Sequence, residues 1–162
     1  TIGQYVHGNH PSHHVAYLYN YAAQPWKTQY WVREVLKRFY RTGPAGLCGN
    51  EDMGSLSSWY LMSSMGLYSV TPGSSQYVIA SPLFDEVSFG VKEGKTFKII
   101  TRNNSDKNRY IQSATLNGKP FDRSWIDHSE IMAGGELVFE MGDQPNKTWA
   151  TGKTSVPYSQ SL

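Results

Sequence analysis

The residues of this chain best suited to chemistry fall in two short stretches: His7-Gly8-Asn9-His10-Pro11-Ser12-His13-His14 and Gly49-Asn50-Glu51-Asp52. Neutral imidazole is the commonest metal ligand, so His10, His13 and His14 could begin a zinc site. Only His128 follows them, with no second cluster. The plainer reading is a helix start whose imidazoles bond locally or line a polar pocket. A carboxylate pair flanked by glycines, Glu51 and Asp52, could hold a cation or act as a general base. It could equally complement the dipole of the helix that follows. The calcium pattern D-x-D-x-D-G-x5-E is absent, as are G-x-S-x-G and glycine-rich phosphate loops. Tyr17, Tyr19, Tyr21, Trp26, Trp31, Trp59 and Tyr60 are expected mainly in the core, with sugar stacking as the alternative. Asn103-Asn104-Ser105 and Asn146-Lys147-Thr148 match the three-residue glycosylation pattern, which chance supplies readily.

The elements that must position these residues change character at Gly66. Before it the pattern is helical. His13 to Ala23 predicts one helix, with Asn9 or Ser12 as cap. Pro25 opens a second, where Val32, Val35, Leu36, Phe39 and Tyr40 form an apolar stripe. Lys27, Arg33, Glu34, Lys37, Arg38 and Arg41 take mainly the other faces and are expected in solvent. Residues 42–54 read as a loop. A third helix follows, with Ser55 as candidate cap, Leu56, Trp59 and Tyr60 on one face, and Gly66 at its end. Beyond Gly66 the period is two. Strands are predicted over 77–80, 86–91, 97–101, 111–116 and 136–141. Asn117-Gly118 signals a hairpin, and Asp127-His128-Ser129-Glu130 has capping-box spacing.

The chain has 162 residues, a net charge of +2, and only 17% charged side chains. That balance leaves no basic footprint for nucleic acid or an anionic membrane. Residues 53–84 carry no charge at all. Serines, Gly66, Pro72, Gly73 and Pro82 divide this run, so it reads as protein core rather than a membrane span. Cys48 is the single cysteine, which excludes an internal disulfide. The first residue is Thr1 rather than Met, which implies that something upstream has been removed. The expected class is α+β. Three helices cannot bury so many aromatic faces alone, so they are expected to belong to a larger helical assembly.

The motifs quoted above, with Gln24-Pro25-Trp26-Lys27-Thr28-Gln29, Gly43-Pro44-Ala45-Gly46-Leu47-Cys48, Ser58-Trp59-Tyr60, Gly66-Leu67-Tyr68 and Ser81-Pro82-Leu83-Phe84-Asp85, closely resemble glycoside hydrolase family 92. The resemblance is specific over about residues 1–90 and looser in the β tail. It implies an exo-acting, calcium-dependent, inverting α-mannosidase, mostly bacterial, periplasmic or secreted. It also implies a division of the chain: 1–66 as the last helices of an (α/α)6 barrel, 67–155 as a small antiparallel β region, and 156–162 as a loose tail.

By position, the resemblance makes Asp52 the general base and Asn50 its assistant, at a place where many members have a second Asp. Asn9 and Asp52 fall beside Ca2+. His7, His10 and Glu51 are expected to touch the sugar. His10 stands where the family usually has Glu, and imidazole is a poor ligand for a hard cation. An inverting glycosidase needs a second carboxyl group about 6.5–9.5 Å from the base. The family's acid lies upstream of this loop, and no matching motif occurs here. The expectation is therefore an inactive C-terminal fragment of an enzyme cleaving terminal α-mannosides of glycans, α-1,2 linkages first. Its partner would be the missing N-terminal part of the same polypeptide, and its open helical face would make it self-associate. The alternatives are a non-catalytic carbohydrate-binding or structural module, and a zinc-binding histidine module.

Overall fold

The computed structural model describes residues 2–160. The helical half holds α1 (Leu18–Tyr21), α2 (Pro25–Phe39) and α3 (Ser55–Met65). The single helix expected over 13–23 is instead two 3₁₀ turns, His10–Ser12 and Val15–Tyr17, leading into the four-residue α1. Pro11 sits inside the first turn, and neither turn has a side-chain cap. Without caps the segment is held by tertiary bonds: the buried Asn20 amide donates to the Ile79 and Ser124 carbonyls at 2.8 and 3.0 Å.

Helix α2 begins on Pro25, whose missing N–H is no loss at a helix start. It buries Val32, Val35 and Leu36 as its stripe requires, but Arg33 and Glu34 are buried too. Arg33 donates to the Pro82 carbonyl at 2.8 Å and to Asn104 Oδ1 and the Ser105 carbonyl at 2.9 and 2.7 Å. Glu34 pairs with Arg38 at 2.6 Å and Arg109 at 2.7 Å. Burial alone would raise its pKa; the two arginines outweigh that and hold it below the ordinary carboxylate range. Spacing along one helix cannot show that a distant loop, 103–109, brings the partners for these charges.

Helix α3 ends at Gly66, φ +87°, where a Cβ would lie 2.6 Å from Pro82 Cγ. Only a glycine fits that left-handed close approach. The uncharged run 53–84 is core on one side only: Leu56, Trp59, Ser63 and Ser64 are buried, while Met53, Tyr60 and Leu61 are exposed.

Eight strands follow: β1 (Leu67–Tyr68), β2 (Gln76–Ile79), β3 (Glu86–Gly90), β4 (Thr96–Arg102), β5 (Tyr110–Leu116), β6 (Lys119–Pro120), β7 (Trp125–Asp127) and β8 (Gly135–Gly142). Strands β1-β2-β7 form one antiparallel sheet, and β3-β4-β8-β5-β6 form the other. The second sheet is mixed, which corrects the antiparallel expectation: β8 enters between β4 and β5 and runs parallel to β4. The chain reaches β8 through β5, β6, β7 and helix α4 (His128–Met132), long enough for such a crossover. Asn117 and Gly118, φ +51° and +75°, turn the β5–β6 hairpin as expected. Asp127 and Glu130 form the expected capping box on α4.

Val78 packs with Ala16, Tyr17, Val32 and Trp59, whereas Ile79 packs with Phe97, Ile99, Ile126 and Leu137. Alternate residues of β2 thus serve a helical core and a β core across its two faces. The expected loose tail is fastened as far as Tyr158, whose N–H donates to Gln76 Oε1 at 2.8 Å, with Pro157 buried. The last two residues of that tail, 161–162, lie outside the described residues. No helix among the described residues is long and apolar enough to cross a membrane.

Candidate active site

Two loops carry the residues singled out by type and spacing, and two glycines let them cross. A Cβ on Gly49 would run into the Gly8 carbonyl, and one on Gly8 would lie 2.8 Å from the Cys48 carbonyl oxygen. With both side chains absent, the Asn50 N–H donates to the Gly8 carbonyl at 2.9 Å. That contact brings the His10 turn against the Asp52 turn.

His10 Nδ1 stands 3.4 Å from Asp52 Oδ2, and both side chains are about half exposed. They line an open cavity of about 450 Å³ with His13, Ser55, Ser58, Trp59, Met62 and Tyr68. Ser55, Ser58, Trp59 and Met62 lie at i, i+3, i+4 and i+7 of α3, one helical face. That spacing was present in the sequence, and it also marks the wall that the apolar reading of Leu56, Trp59 and Tyr60 missed. Tyr68 enters from β1 and packs 5.0 Å from Tyr17. Asp52 opens a 3₁₀ turn in which Met53 takes φ +55° and Gly54 φ +80°. Ser55 is therefore the first helical residue rather than the cap, which is Gly54.

The other expected site residues lie elsewhere. Asn9 and Asn50 line a neighbouring cavity of about 350 Å³, with Gly8, Phe39 and Cys48. Glu51 turns its carboxylate to the start of α3, where both oxygens lie 3.3 Å from the Ser57 nitrogen. That geometry matches the dipole-complementing alternative rather than a sugar contact. His7 is 1% exposed, and both ring nitrogens bond to tyrosine hydroxyls at 2.7 Å, Tyr5 and Tyr40. It lies in the wall of the Asn9–Asn50 cavity with almost none of its surface open. Burial, with His13 beside it, pushes its pKa down to about 3, so the ring is neutral. Burial also lowers His13, whose Nε2 donates to the His7 carbonyl at 3.1 Å. Trp59 Nε1 donates to the His13 carbonyl at 3.0 Å, which fixes the indole in the cavity wall.

His10, His13 and His14 do not converge: among the described residues no group of three or more His, Cys, Asp or Glu side chains is arranged to hold a metal. Calcium takes 6–8 oxygen ligands, amide and backbone carbonyls among them. Asn9 and Asp52 line different cavities, and an imidazole lies against Asp52. Asp52 and Asn9 do not by themselves compose a calcium shell.

What the two loops can do is offer one exposed carboxylate beside an aromatic wall. Known proteins carry a similar segment. A protein of Arthroderma benhamiae known as an uncharacterized secreted glycosidase is 35% identical over 157 residues, 94% of this chain and 20% of that protein. A family GH92 α-mannosidase of Bacteroides thetaiotaomicron superposes with a TM-score of 0.95 at 42% identity, over 100% of this chain and 22% of its own. A family GH92 inverting mannosidase of the same bacterium gives 0.92 at 46% identity, over 98% and 21%. The chain thus spans about a fifth of the length of these relatives. Residues 1–143 match the glycosyl hydrolase family 92 catalytic domain, and the chain belongs to that family.

Proposed function

We propose that this chain is the C-terminal part of an inverting α-mannosidase that removes terminal α-mannosyl residues from glycans. The observation that carries the reading is Asp52: a half-exposed carboxylate at the mouth of a cavity walled by Trp59 and Tyr68, in a chain 46% identical to an inverting mannosidase. Asp52 accepts a proton from water as the water oxygen attacks the anomeric carbon, and a carboxylic acid elsewhere in the parent protein protonates the departing oxygen. Tyr68, half-buried at the cavity wall, offers its ring to the apolar side of a sugar, and the buried Trp59 backs that wall. His10 meets the same sugar from the opposite loop. The relatives' greater length supports reading the helices as the end of an (α/α)6 barrel completed by the missing N-terminal part. α-1,2-linked mannosides are the first substrates to try. The fungal relative's secretion supports a secreted or periplasmic parent.

In the full-length parent, Asp52→Asn is expected to lower kcat by about 10³-fold with KM little changed. Product followed by NMR from an α-mannoside should appear first as the β-anomer. The 162-residue chain alone should give no turnover. Full activity in Asp52→Asn would refute the assignment. Calcium, if the parent requires it, is expected to take most of its oxygen ligands from outside this chain. Chelation is then expected to abolish the parent's activity while leaving the thermal midpoint of the isolated chain unmoved; a shift of that midpoint by added calcium would place a complete site here.

One observation favours a second reading, a non-catalytic carbohydrate-binding module: His10 lies 3.4 Å from the carboxylate that must activate water. Under it the parent would bind mannose without hydrolysing a mannoside.

A further inference from the structure

We propose that His7 is a positioning residue for the candidate site, a buried ring tied at both nitrogens that sets the loop of His10 against the loop of Asp52. The inference rests on the function proposed above for the reaction it serves. His7 sits in the core with a tyrosine hydroxyl 2.7 Å from each ring nitrogen, Tyr5 at Nδ1 and Tyr40 at Nε2. A third contact gives these bonds their direction. The Leu56 carbonyl can only accept, and the Tyr40 hydroxyl donates to it at 3.2 Å. Tyr40 has no second proton, so it accepts from His7 Nε2–H. Nδ1 of the neutral ring then carries the lone pair and accepts from the Tyr5 hydroxyl. The chain of donors runs Tyr5 to His7 to Tyr40 to Leu56.

The bonded groups belong to the segments that must be held in register. His7 lies three residues before His10. Tyr40 closes α2 and opens the glycine loop that ends at Asp52. Leu56 belongs to the first turn of α3, four residues after Asp52. The ring also backs the cavity wall: its centroid is 4.3 Å from that of Trp59, edge to face, and its carbonyl accepts from His13. A displacement of about 1 Å at a reacting group can cost 10²-fold in rate. A histidine that only filled the core would affect folding and leave turnover per folded molecule alone.

The test uses the full-length parent. His7→Phe keeps a ring and loses both bonds. His7→Gln keeps a donor within reach of Tyr40. His7→Phe is expected to lower kcat at least tenfold, per folded molecule, with KM within twofold. His7→Gln is expected to recover kcat to within threefold of the unaltered protein. Tyr5→Phe, which removes one bond and no core volume, is expected to lower kcat three- to tenfold, and it serves if His7→Phe fails to fold. In the unaltered parent, 15N NMR of the labelled histidines should show His7 protonated at Nε2. A rise in KM with kcat unchanged would make His7 a substrate contact and overturn the inference. So would an unchanged kcat in Tyr5→Phe, or a proton found on Nδ1. A parent that turns over no α-mannoside refutes the proposed function instead, and the tautomer is read all the same.

Discussion

Met53, next to Asp52, is fully exposed and takes a left-handed backbone, φ +55°. A long side chain without packing contacts gains nothing there and carries about 1 kcal/mol of backbone strain. Asn tolerates the same conformation. Met53→Asn is therefore expected to stabilise the chain by about 0.5 kcal/mol, read as a rise in the urea midpoint at constant slope. A lowered midpoint would mean that the turn is not strained. Residue types and spacing marked two loops that the fold then brings together, because carboxylates, imidazoles and flanking glycines are visible as letters. They did not show where Glu51 and His7 turn, because the direction of a side chain depends on what stands opposite it. Glu51 met the open N-terminus of α3, and His7 met two hydroxyls, one 33 residues away. No local signal could have announced Tyr40 as its partner.

At the scale of elements, the capping box of α4 offers a clean measurement. Asp127 accepts from the Ser129 N–H and hydroxyl at 2.9 and 2.6 Å, and from the Ser75 hydroxyl at 2.5 Å. These bonds, those from the Ser129 and Ser75 hydroxyls foremost, hold its pKa at about 2, against 3.8 for a free aspartate. A carboxylate depressed on folding contributes stability above its unfolded pKa and loses it as pH falls through the folded one. Asp127→Ala is expected to cost about 1 kcal/mol at neutral pH. The gap between variant and parent sequence should narrow as pH falls from 4 to 2, by chemical denaturation at each pH; a gap independent of pH would remove the carboxylate from the account. This element was legible because a capping box is local, four residues long. The helix expected over 13–23 failed for the converse reason: its hydrogen bonds are completed by Ile79 and Ser124, which no window of that segment contains.

For the whole molecule, the exposed apolar side chains of the helical half, Val6, Val15, Leu18, Leu47, Met53, Tyr60 and Leu61, predict association of the isolated chain with itself. Light scattering at increasing concentration should show a rising mean mass; a constant monomer mass at high concentration would refute the expectation. The sequence by itself determined the class of fold, α2 and α3, five of the strands, the hairpin and the capping box. Those features rest on periodicity, on backbone angles open to few residue types, and on bonds spanning a few positions. Only the tertiary structure decided that β8 slides in parallel to β4, that Arg33 and Glu34 are buried, and that His10 faces Asp52 while Asn9 and Asn50 face another cavity. Each of these is a meeting of segments 38 or more residues apart. Such meetings are settled by how faces bury and how buried charges find partners, which the local pattern of the chain does not contain.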